Sequence, residues 1–336
     1  MADTGPFLKR RDLLLAGGAA CAVSGLALSL RPGTPAVARD ASPTQRIAGR
    51  AFGTDWRVNL PAGGDDPVLR RELDRLLAGI DAEMSPWRSD SRLSAVNRAI
   101  AGPQPISAEF AHVTQAALNL ADVTKGAFDP TVGPAVSRWG FGPIDTQAAT
   151  GWRGMTLEGD RVTKTDARLT LDLCGIAKGR ALDRMGALLA DMGHADFLVD
   201  LGGELLARGR HPSGRVWRVG IEDPRPGRSG LAGTIALRDR TIATSGIKAN
   251  GYQSGTRRYS HIIDPMTMSP IQGALASVSV LSRDAMTADG WATALMAAGD
   301  SGPDLARRHR IDALFLFAQA DGLRPEVSGQ FEFRLG

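Results

Sequence analysis

The sequence predicts a globular protein of mixed helix and strand content, and three observations indicate it. Apolar residues recur at helical spacing over several stretches, including 68–84 and 181–192. Shorter apolar runs, such as Phe197–Leu201 and 276–282, are typical of buried strands. We find neither an internal repeat nor a linker that would separate two independent domains, so we expect one lobed domain in these 336 residues.

Start signals define the predicted helices. Asp66 and Pro67 begin one helix, which we expect to place Val68 on its core face, and Ser107 caps a second helix. The other predicted helices cover 181–192 and 287–298. Strands are expected at 50–60, with a kink at Gly53-Thr54, and at 197–201, 216–222, 276–282, 313–317 and 331–335.

Composition limits the classes of function. Hydrophobic residues make up 43% of the chain and the formal net charge is only +4, so the chain is not of the disordered class. Acidic residues are interleaved with basic ones and no long basic run occurs, which argues against nucleic-acid binding as the main role. The two cysteines, Cys21 and Cys174, and the five scattered histidines do not suggest a zinc site.

Residues 1–38 have the features of a targeting segment. Arg10-Arg11 followed by an apolar stretch is typical of a twin-arginine export signal, and Ala36-Val37-Ala38 fits a cleavage site. This predicts a mature domain of residues 39–336 in the periplasm. Two alternatives stay open, an uncleaved segment that anchors the protein in the inner membrane and lipidation at Cys21.

The central stretch, residues 171–183, is typical of a strand end, a small-residue turn and the start of a helix. Asp172 can accept hydrogen bonds from a base or ribose, and Lys178 can neutralise a phosphate. The start of a helix exposes N–H groups that favour an anion. The stretch is either a phosphate or nucleotide site or an ordinary strand–turn–helix joint, since it matches neither a Walker A nor a Rossmann pattern.

Three further features could serve a ligand. Trp87 lies in a polar loop, where it could stack on a flat ring or fold back onto the core. Segment 126–142 is dense in Gly, Pro and aromatic residues, so we expect a structured loop without regular helix that lines a cleft or acts as a rigid connector. His261 ends a predicted strand and could be catalytic or structural.

Asp289 and Thr293 lie four residues apart on a predicted helix, so their oxygen atoms share one helix face. Carboxylate and hydroxyl oxygens, completed by a backbone carbonyl, phosphates and water, suit Mg²⁺. The alternative is that Asp289 is a charge at the helix start and Thr293 a small packing residue.

Several separated motifs occur in one order. They are Phe52-Gly53-Thr54, the loop 84–94, G-A-F-D-P-T-V-G-P with W-G-F-G at 126–142, D-L-C-G-I-A-K-G at 172–179, D-L-G-G-E at 200–204, A-T-S-G at 243–246, S-H-I-I-D-P at 260–265 and A-D-G-W-A-T at 288–293. Together they resemble the ApbE family, the FAD:protein FMN transferases. The resemblance covers roughly residues 50–300, and the set is more specific than any single motif.

The resemblance implies a fold and two ligands. The fold would be an α+β, T-fold-like lobed domain, with mixed or antiparallel sheets flanked by helices and the active site in the cleft between lobes. FAD would contact Phe52, Trp87, Ala127, Phe128, Asp129, Asp172, Lys178 and Ile263. Mg²⁺ would be held by the backbone carbonyl of Gly175 and the side chains of Asp289 and Thr293.

The resemblance also implies a reaction. The FAD pyrophosphate would be cut, FMN would pass to a Thr or Ser hydroxyl of a client flavoprotein, and AMP would leave. Lys178, Asp289 and the metal would stabilise the developing charge, and His261 is our candidate for the base. With water as acceptor the same site would be an FAD pyrophosphatase, and without turnover an FAD-binding protein. The expected client is a subunit of a membrane redox complex.

One segment departs from the family pattern. After S-H-I-I-D-P the family usually has a glycine at the position of Met268. We therefore expect an altered turn near the site and a changed fit of the acceptor.

Overall fold

The structure is a computed structural model that describes residues 44–63, 66–255 and 257–335. The predicted signal segment, its cleavage site and Cys21 lie outside the described residues. None of the described helices is both long enough and apolar enough to span a bilayer.

The main helices begin where their capping residues predict. The Asp66 side chain accepts hydrogen bonds from the N–H groups of Val68 and Leu69, and Ser107 accepts one from Phe110. The prediction that Val68 faces the core is wrong, because this first-turn side chain is 47% exposed. The described helices are α1 (Pro67–Met84), α2 (Arg92–Arg98), α3 (Ala108–Val123), α4 (Gly133–Arg138), α5 (Ala177–Asp191), α6 (Ala285–Ala297) and α7 (Gly302–His309).

Two short helices differ from the prediction. The helix α2 begins inside the loop 84–94, where Ser91 caps it by accepting a hydrogen bond from the Ser94 N–H. The helix α4 lies inside segment 126–142, which we expected to be free of helix. Pro134 stands in its first turn, where proline needs no N–H partner and its fixed φ suits a helix, so the composition did not exclude one.

The predicted strand 50–60 is two strands joined by a hairpin turn. Phe52 and Gly53 form this two-residue turn with φ of +52° and +74°. The strands are β1 (Thr44–Ala51), β2 (Thr54–Pro61), β3 (Gly102–Pro105), β4 (Met155–Glu158), β5 (Arg161–Lys164), β6 (Phe197–Leu201), β7 (Glu204–Arg208), β8 (Trp217–Glu222), β9 (Leu231–Leu237), β10 (Arg240–Gly246), β11 (Gly251–Ser254), β12 (Arg257–Ser260), β13 (Ile263–Asp264), β14 (Ser269–Pro270), β15 (Leu275–Ser282), β16 (Asp312–Ala318), β17 (Leu323–Ser328) and β18 (Arg334–Leu335).

An eight-stranded antiparallel sheet, in the order β1-β2-β6-β7-β10-β15-β16-β17, is the centre of the fold. The helices cover one of its faces, and the antiparallel sheet β18-β9-β8 covers part of the other. The two faces of the large sheet pack into two hydrophobic cores, as alternate residues of β16 show. Phe315 packs with the helices, whereas Leu314 and Leu316 pack with the small sheet. The predicted α+β class, with antiparallel sheets flanked by helices, is confirmed.

The helices α5 and α6 approach closely because Gly179 has no side chain. A Cβ atom at Gly179 would lie 2.7 Å from the Asp289 Cβ and still closer to the Ala285 carbonyl oxygen. Asp183 of α5 also accepts hydrogen bonds from the N–H groups of Ala285 and Met286, at 2.7 and 2.9 Å. The start of α5 is therefore fixed against α6.

Candidate active site

The start of α5 offers fewer open N–H donors than predicted. The N–H groups of residues 176–177 both donate to the Leu173 carbonyl, at 3.1 and 2.9 Å, and the Gly179 N–H donates to Asp289. The side chain of Lys178 provides the main attraction for an anion at this turn.

Lys178 forms an ion pair with Glu204, whose carboxyl is buried, with Nζ 2.8 Å from Oε1. Burial alone would lower the pKa of Lys178, but the carboxylates of Glu204 and Asp289 outweigh burial and raise it. Burial raises the pKa of Glu204 above its usual value, and the positive charge of Lys178 opposes that shift. Glu204 Oε2 is buried without a hydrogen-bond partner among the described residues, so the pair can accept a further donor or cation.

Asp289 is 4% exposed and lies in the middle of α6. Its Oδ2 accepts a hydrogen bond of 2.8 Å from the Gly179 N–H. Burial raises the pKa of Asp289, and Lys178 and the Gly179 N–H only partly oppose this shift. The alternative of a helix-start charge is wrong, because Asp284 is the capping residue that accepts from the Thr287 N–H.

The backbone of Gly175 lies directly against Thr293. A Cβ at Gly175 would lie 2.9 Å from Thr293 Cγ2 and 3.2 Å from Thr293 Oγ1. The Thr293 hydroxyl oxygen is also 3.4 Å from Ser245 Oγ. The structure therefore brings together Gly175, Asp289 and Thr293, the three residues of the predicted metal set, through the contact of the central turn with α6.

His261 directly follows β12 and its ring is half-buried. Its Nδ1 lies 3.1 Å from the Asn250 carbonyl oxygen. Because a carbonyl only accepts, Nδ1 carries the proton of the neutral ring and Nε2 keeps a lone pair. Burial lowers the pKa of His261, the hydrogen bond to Asn250 partly opposes this, and the charge of Lys178 lowers the pKa further. The ring is therefore neutral at pH 7.

Two predicted FAD-binding carboxylates lie on adjoining loops. The Asp172 N–H donates to the Pro130 carbonyl at 2.6 Å, and Asp172 Oδ1 accepts from the Cys174 N–H at 3.0 Å. Asp129 Oδ1 accepts from the N–H and the hydroxyl of Thr131, at 2.7 and 2.6 Å. Burial raises the pKa of Asp129 despite these bonds. Segment 126–142 is thus tied to the central turn through Asp172.

The apolar members of the predicted FAD site lie at different depths. Phe128 is buried, with ring atom Cε2 3.3 Å from where a Cβ on Gly175 would lie, while Ala127 is half-buried. Ile263 is buried in β13, where it pairs with Pro270. Phe128 and Ile263 can therefore offer a ligand mainly backbone groups, and Ala127 can offer its surface.

The turn that contains Phe52 adjoins the turn that carries Glu204. A Cβ at Gly202 would lie 2.7 Å from Thr54 Cγ2, so the tips of the two hairpins touch. Gly202 and Gly203, with φ of +62° and +101°, form the two-residue turn before Glu204. Phe52 is half-buried at the edge of the same region.

Trp87 is 64% exposed, so the alternative that it folds back onto the core is wrong. Arg88 braces its loop through ion pairs with Asp81 and Asp90. The loop is followed by α2, from which Asn97 bonds both backbone groups of Leu171, at 2.7 and 2.8 Å. The loop is thereby connected to the central turn, and the Trp87 ring is available for stacking.

The turn at Met268 is kept despite the loss of glycine. Met268 adopts the left-handed conformation with φ of +54°, and its N–H donates to the Asp264 carbonyl at 2.8 Å. The Met268 carbonyl accepts a hydrogen bond of 3.0 Å from Trp139 Nε1. Methionine adopts this conformation at a cost that glycine would avoid.

Glu204 is the residue that sequence reasoning left without a role. The signal was present in the D-L-G-G-E motif, since an acid directly after a Gly-Gly turn stands at a defined point of the hairpin. The sequence could not predict that Lys178 is the partner of Glu204, because Lys178 belongs to a different element. The sequence alone does not show which hairpin turn lies against the start of α5.

The model of the ApbE family matches residues 52–315 of this chain. This chain therefore belongs to the ApbE family. The matched range contains every residue of the site described above.

Known relatives agree over most of the chain. A Vibrio cholerae protein named FAD:protein FMN transferase is 36% identical over 304 residues, which cover 85% of this chain and 91% of that protein. An Escherichia coli K12 protein of the same name is 31% identical, with 85% of this chain and 88% of that protein covered.

Solved structures support the same fold. The structure of flavin transferase ApbE from Vibrio cholerae has a TM-score of 0.78 at 36% identity and covers 86% of this chain and 99% of its own. The apo form of the Pseudomonas stutzeri flavinyl transferase ApbE has a TM-score of 0.76 at 32% identity, with 85% and 95% covered.

Proposed function

We propose that this chain is an FAD:protein FMN transferase. The observation that carries the proposal is one corner of the structure, where Lys178, Asp289 and Thr293 meet at the central turn. A fixed positive charge and clustered oxygen ligands are what cleavage of a pyrophosphate requires. The names of the curated relatives support this activity.

The residues of this corner fit Mg²⁺. The three donors are hard oxygen ligands: a backbone carbonyl of Gly175, a carboxylate of Asp289 and a hydroxyl of Thr293. Asp289 Oδ1 accepts no hydrogen bond among the described residues, and Glu204 Oε2 is unpaired. When bound there, Mg²⁺ would supply charge neutralisation for the pyrophosphate.

FAD is the proposed substrate, and residues on and around the central turn are the proposed contacts. The exposed ring of Trp87 and the half-buried Phe52 are the candidates for flavin contact. Asp172 and Asp129 keep carboxylate oxygens for ribose or base hydroxyl groups. The side chain of Lys178 approaches the phosphates. Ala127, Phe128 and Ile263 complete the proposed contacts.

The transfer step balances without an additional reactant. The hydroxyl oxygen of a Thr or Ser in the client forms a bond to the FMN phosphorus, and the pyrophosphate P–O bond to AMP breaks. His261 Nε2 takes the hydroxyl proton, because Nδ1–H is engaged by Asn250. Lys178 stabilises the charge that develops on the AMP phosphate. AMP leaves with the bridging oxygen.

We also propose where the reaction takes place. The twin-arginine pattern in residues 1–38 supports export to the periplasm. The client is proposed to be a flavoprotein subunit of a membrane redox complex that faces this compartment. An uncleaved leader or a lipid on Cys21 would keep the enzyme at the inner membrane.

The test uses the full chain with FAD, Mg²⁺ and a soluble client flavoprotein domain. The intact mass of the client is followed together with AMP release, and Asp289→Asn is the control variant. The expected result is a mass gain of one FMN with an equal amount of AMP, both absent in the control. AMP release without a labelled client would instead identify an FAD pyrophosphatase, and intact bound FAD would identify a binding protein.

A further inference from the structure

The residues before His261 form a separate hairpin. Among the described residues β11 and β12 pair only with each other, and the second strand leads directly into His261. The His261 N–H donates to the carbonyl of Asn250, which stands just before the first strand. The base of the hairpin is therefore held at the proposed catalytic histidine.

A row of four aromatic rings covers one face of this hairpin. Trp139 stacks on Tyr259 at a centroid distance of 5.4 Å, Tyr259 stacks on Tyr252 at 5.5 Å, and Tyr252 stacks on Phe141 at 5.3 Å. Phe141 in turn makes a T-shaped contact with the His261 ring, with the two centroids 6.3 Å apart. We call these four rings the aromatic row; it ends beside the proposed base.

The aromatic row suits a protein segment better than a flavin. Tyr252 and Tyr259 each stack with two other rings of the row, at centroid distances of 5.3–5.5 Å. This spacing between neighbouring rings is too small for a planar ring system to insert between them. All four residues are nevertheless half-exposed, so the row presents ring edges as a continuous surface.

The hairpin also carries two positive charges. Arg257 and Arg258 are both exposed. The Arg257 guanidinium lies over the Tyr259 ring and its Nε donates to Gln272, while Arg258 donates to the carbonyls of residues 247–248. Neither forms an ion pair within the part of the chain that the structure describes. A segment that docks here is expected to carry acidic residues.

We propose that the β11–β12 hairpin and its aromatic row dock the acceptor segment of the client, and that this segment has acidic residues beside its Thr or Ser. The rings bind the segment along the hairpin, and Arg257 and Arg258 fix its register. The acceptor hydroxyl then reaches Nε2 of His261. This inference rests on the proposed transferase function and adds the chemistry of its protein substrate.

The test measures peptide binding to the FAD-loaded full chain by fluorescence anisotropy. The probes are synthetic peptides with a central Thr flanked by Asp, by Asn or by Lys. The Asp peptide is expected to bind about tenfold tighter than the Asn peptide, and Arg257→Glu is expected to remove this difference. Arg71→Glu, at an exposed position of α1, is the matched control and should bind like the wild type.

A second pair of variants keeps the test independent of charge. Tyr252→Ala and Tyr259→Ala should weaken binding of all three peptides while FAD affinity, measured by titration, stays unchanged. Unchanged peptide binding in Arg257→Glu, or loss of FAD affinity in the tyrosine variants, would overturn the proposal. An oligomeric state that changes in Arg257→Glu would also overturn it, because a second copy of the chain would then be the occupant.

FMN transfer to the client domain is measured in parallel with the same variants. Arg257→Glu should raise the KM for the client about tenfold and leave client-independent AMP release unchanged. If the wild type binds the Asp peptide through Arg257 but labels no client, the proposed transferase function is wrong. The binding of an acidic segment at the hairpin would still stand. If the wild type and Arg257→Glu label the client equally well, the transferase function stands and the proposed docking at the hairpin is wrong.

Discussion

The two ends of the proposed site are built in opposite ways. At one end Lys178, Glu204 and Asp289 form a cluster whose two carboxyls are buried, and Gly179 fixes this cluster by letting α5 touch α6. The second group, which we call the exposed end, consists of Trp87, which is exposed in its loop, and the aromatic row, which is half-exposed and lies on the β11–β12 hairpin and the segment 139–141. Burial strengthens electrostatics and prevents reorganisation, whereas exposure allows ligands to enter.

This difference assigns separate tasks to the two ends. The buried end is suited to stabilising charge at a pyrophosphate, and substitutions there should reduce turnover. The exposed end is suited to recognition, and substitutions there should reduce affinity.

Asp289→Asn should lower AMP release by about 10³-fold or more, because the variant loses a charged oxygen ligand at the buried end. The substitution preserves an oxygen that can accept from the Gly179 N–H, so the free energy of unfolding should change little. Single-turnover AMP release measures the rate and urea unfolding the stability. An active Asp289→Asn enzyme would contradict the proposed division.

His261→Ala should lower the rate of FMN transfer by about 10²–10⁴-fold while FAD affinity stays the same. The pKa of His261 lies below its usual 6.5, so a base at this position is active above that pKa and loses activity as the pH falls through it. The acid limb of the wild-type rate profile should therefore lie below pH 6.5. A variant with an unchanged rate, or with the same acid limb, would remove His261 from the mechanism.

Trp87→Ala should weaken FAD binding by about 1–3 kcal/mol, the usual contribution of one aromatic stacking contact. The turnover at saturating FAD should be nearly unchanged, because Trp87 belongs to the exposed end. Trp87→Phe, which keeps an aromatic face, serves as the matched variant and should recover most of the affinity. Flavin titration measures the dissociation constants, and equal values for Ala and wild type would show that the ring does not stack on FAD.

Gly179→Ala should lower the free energy of unfolding by about 1–3 kcal/mol, because the added methyl group overpacks the contact of α5 with α6. Gly79→Ala is the control: Gly79 lies in α1 with no atom near its Cβ position, so alanine there should stabilise the protein by about 0.5–1 kcal/mol. Urea unfolding of both variants measures the two changes in the free energy of unfolding. Equal changes in the free energy of unfolding of the two variants would mean that the contact of α5 with α6 tolerates the added methyl group.

The sequence predicted the local elements of the buried end better than their contacts. Helix spacing and caps located α1, α3 and α5, and the i, i+4 pattern placed Asp289 and Thr293 on one face of α6. The ion pair of Lys178 with Glu204 was missed, because it joins residues of different elements and depends on the strand order of the sheet. Gly179 could be read as a permissive residue, but the helix that touches it could not be identified.

The exposed end was harder to predict because its backbone does not follow periodic patterns. The turn at Phe52 was mistaken for a kink, since a phenylalanine at positive φ is rare and only the paired strands require it. The helix α4 was excluded for its Gly and Pro content, although both residues suit a first turn. The aromatic row joins 139–141 with β11 and β12, and no sequence spacing connects these segments.

We expect the corner formed by Gly175, the buried Asp289 and Thr293 to hold the metal beside the pyrophosphate. The most direct measurement is anomalous diffraction from crystals of the chain grown with FAD and Mn²⁺ in place of Mg²⁺. We expect an anomalous peak about 2.0–2.2 Å from the Gly175 carbonyl and the Asp289 carboxylate, adjacent to the FAD phosphates and Lys178. A peak elsewhere in the protein, with FAD bound and this corner empty, would contradict it.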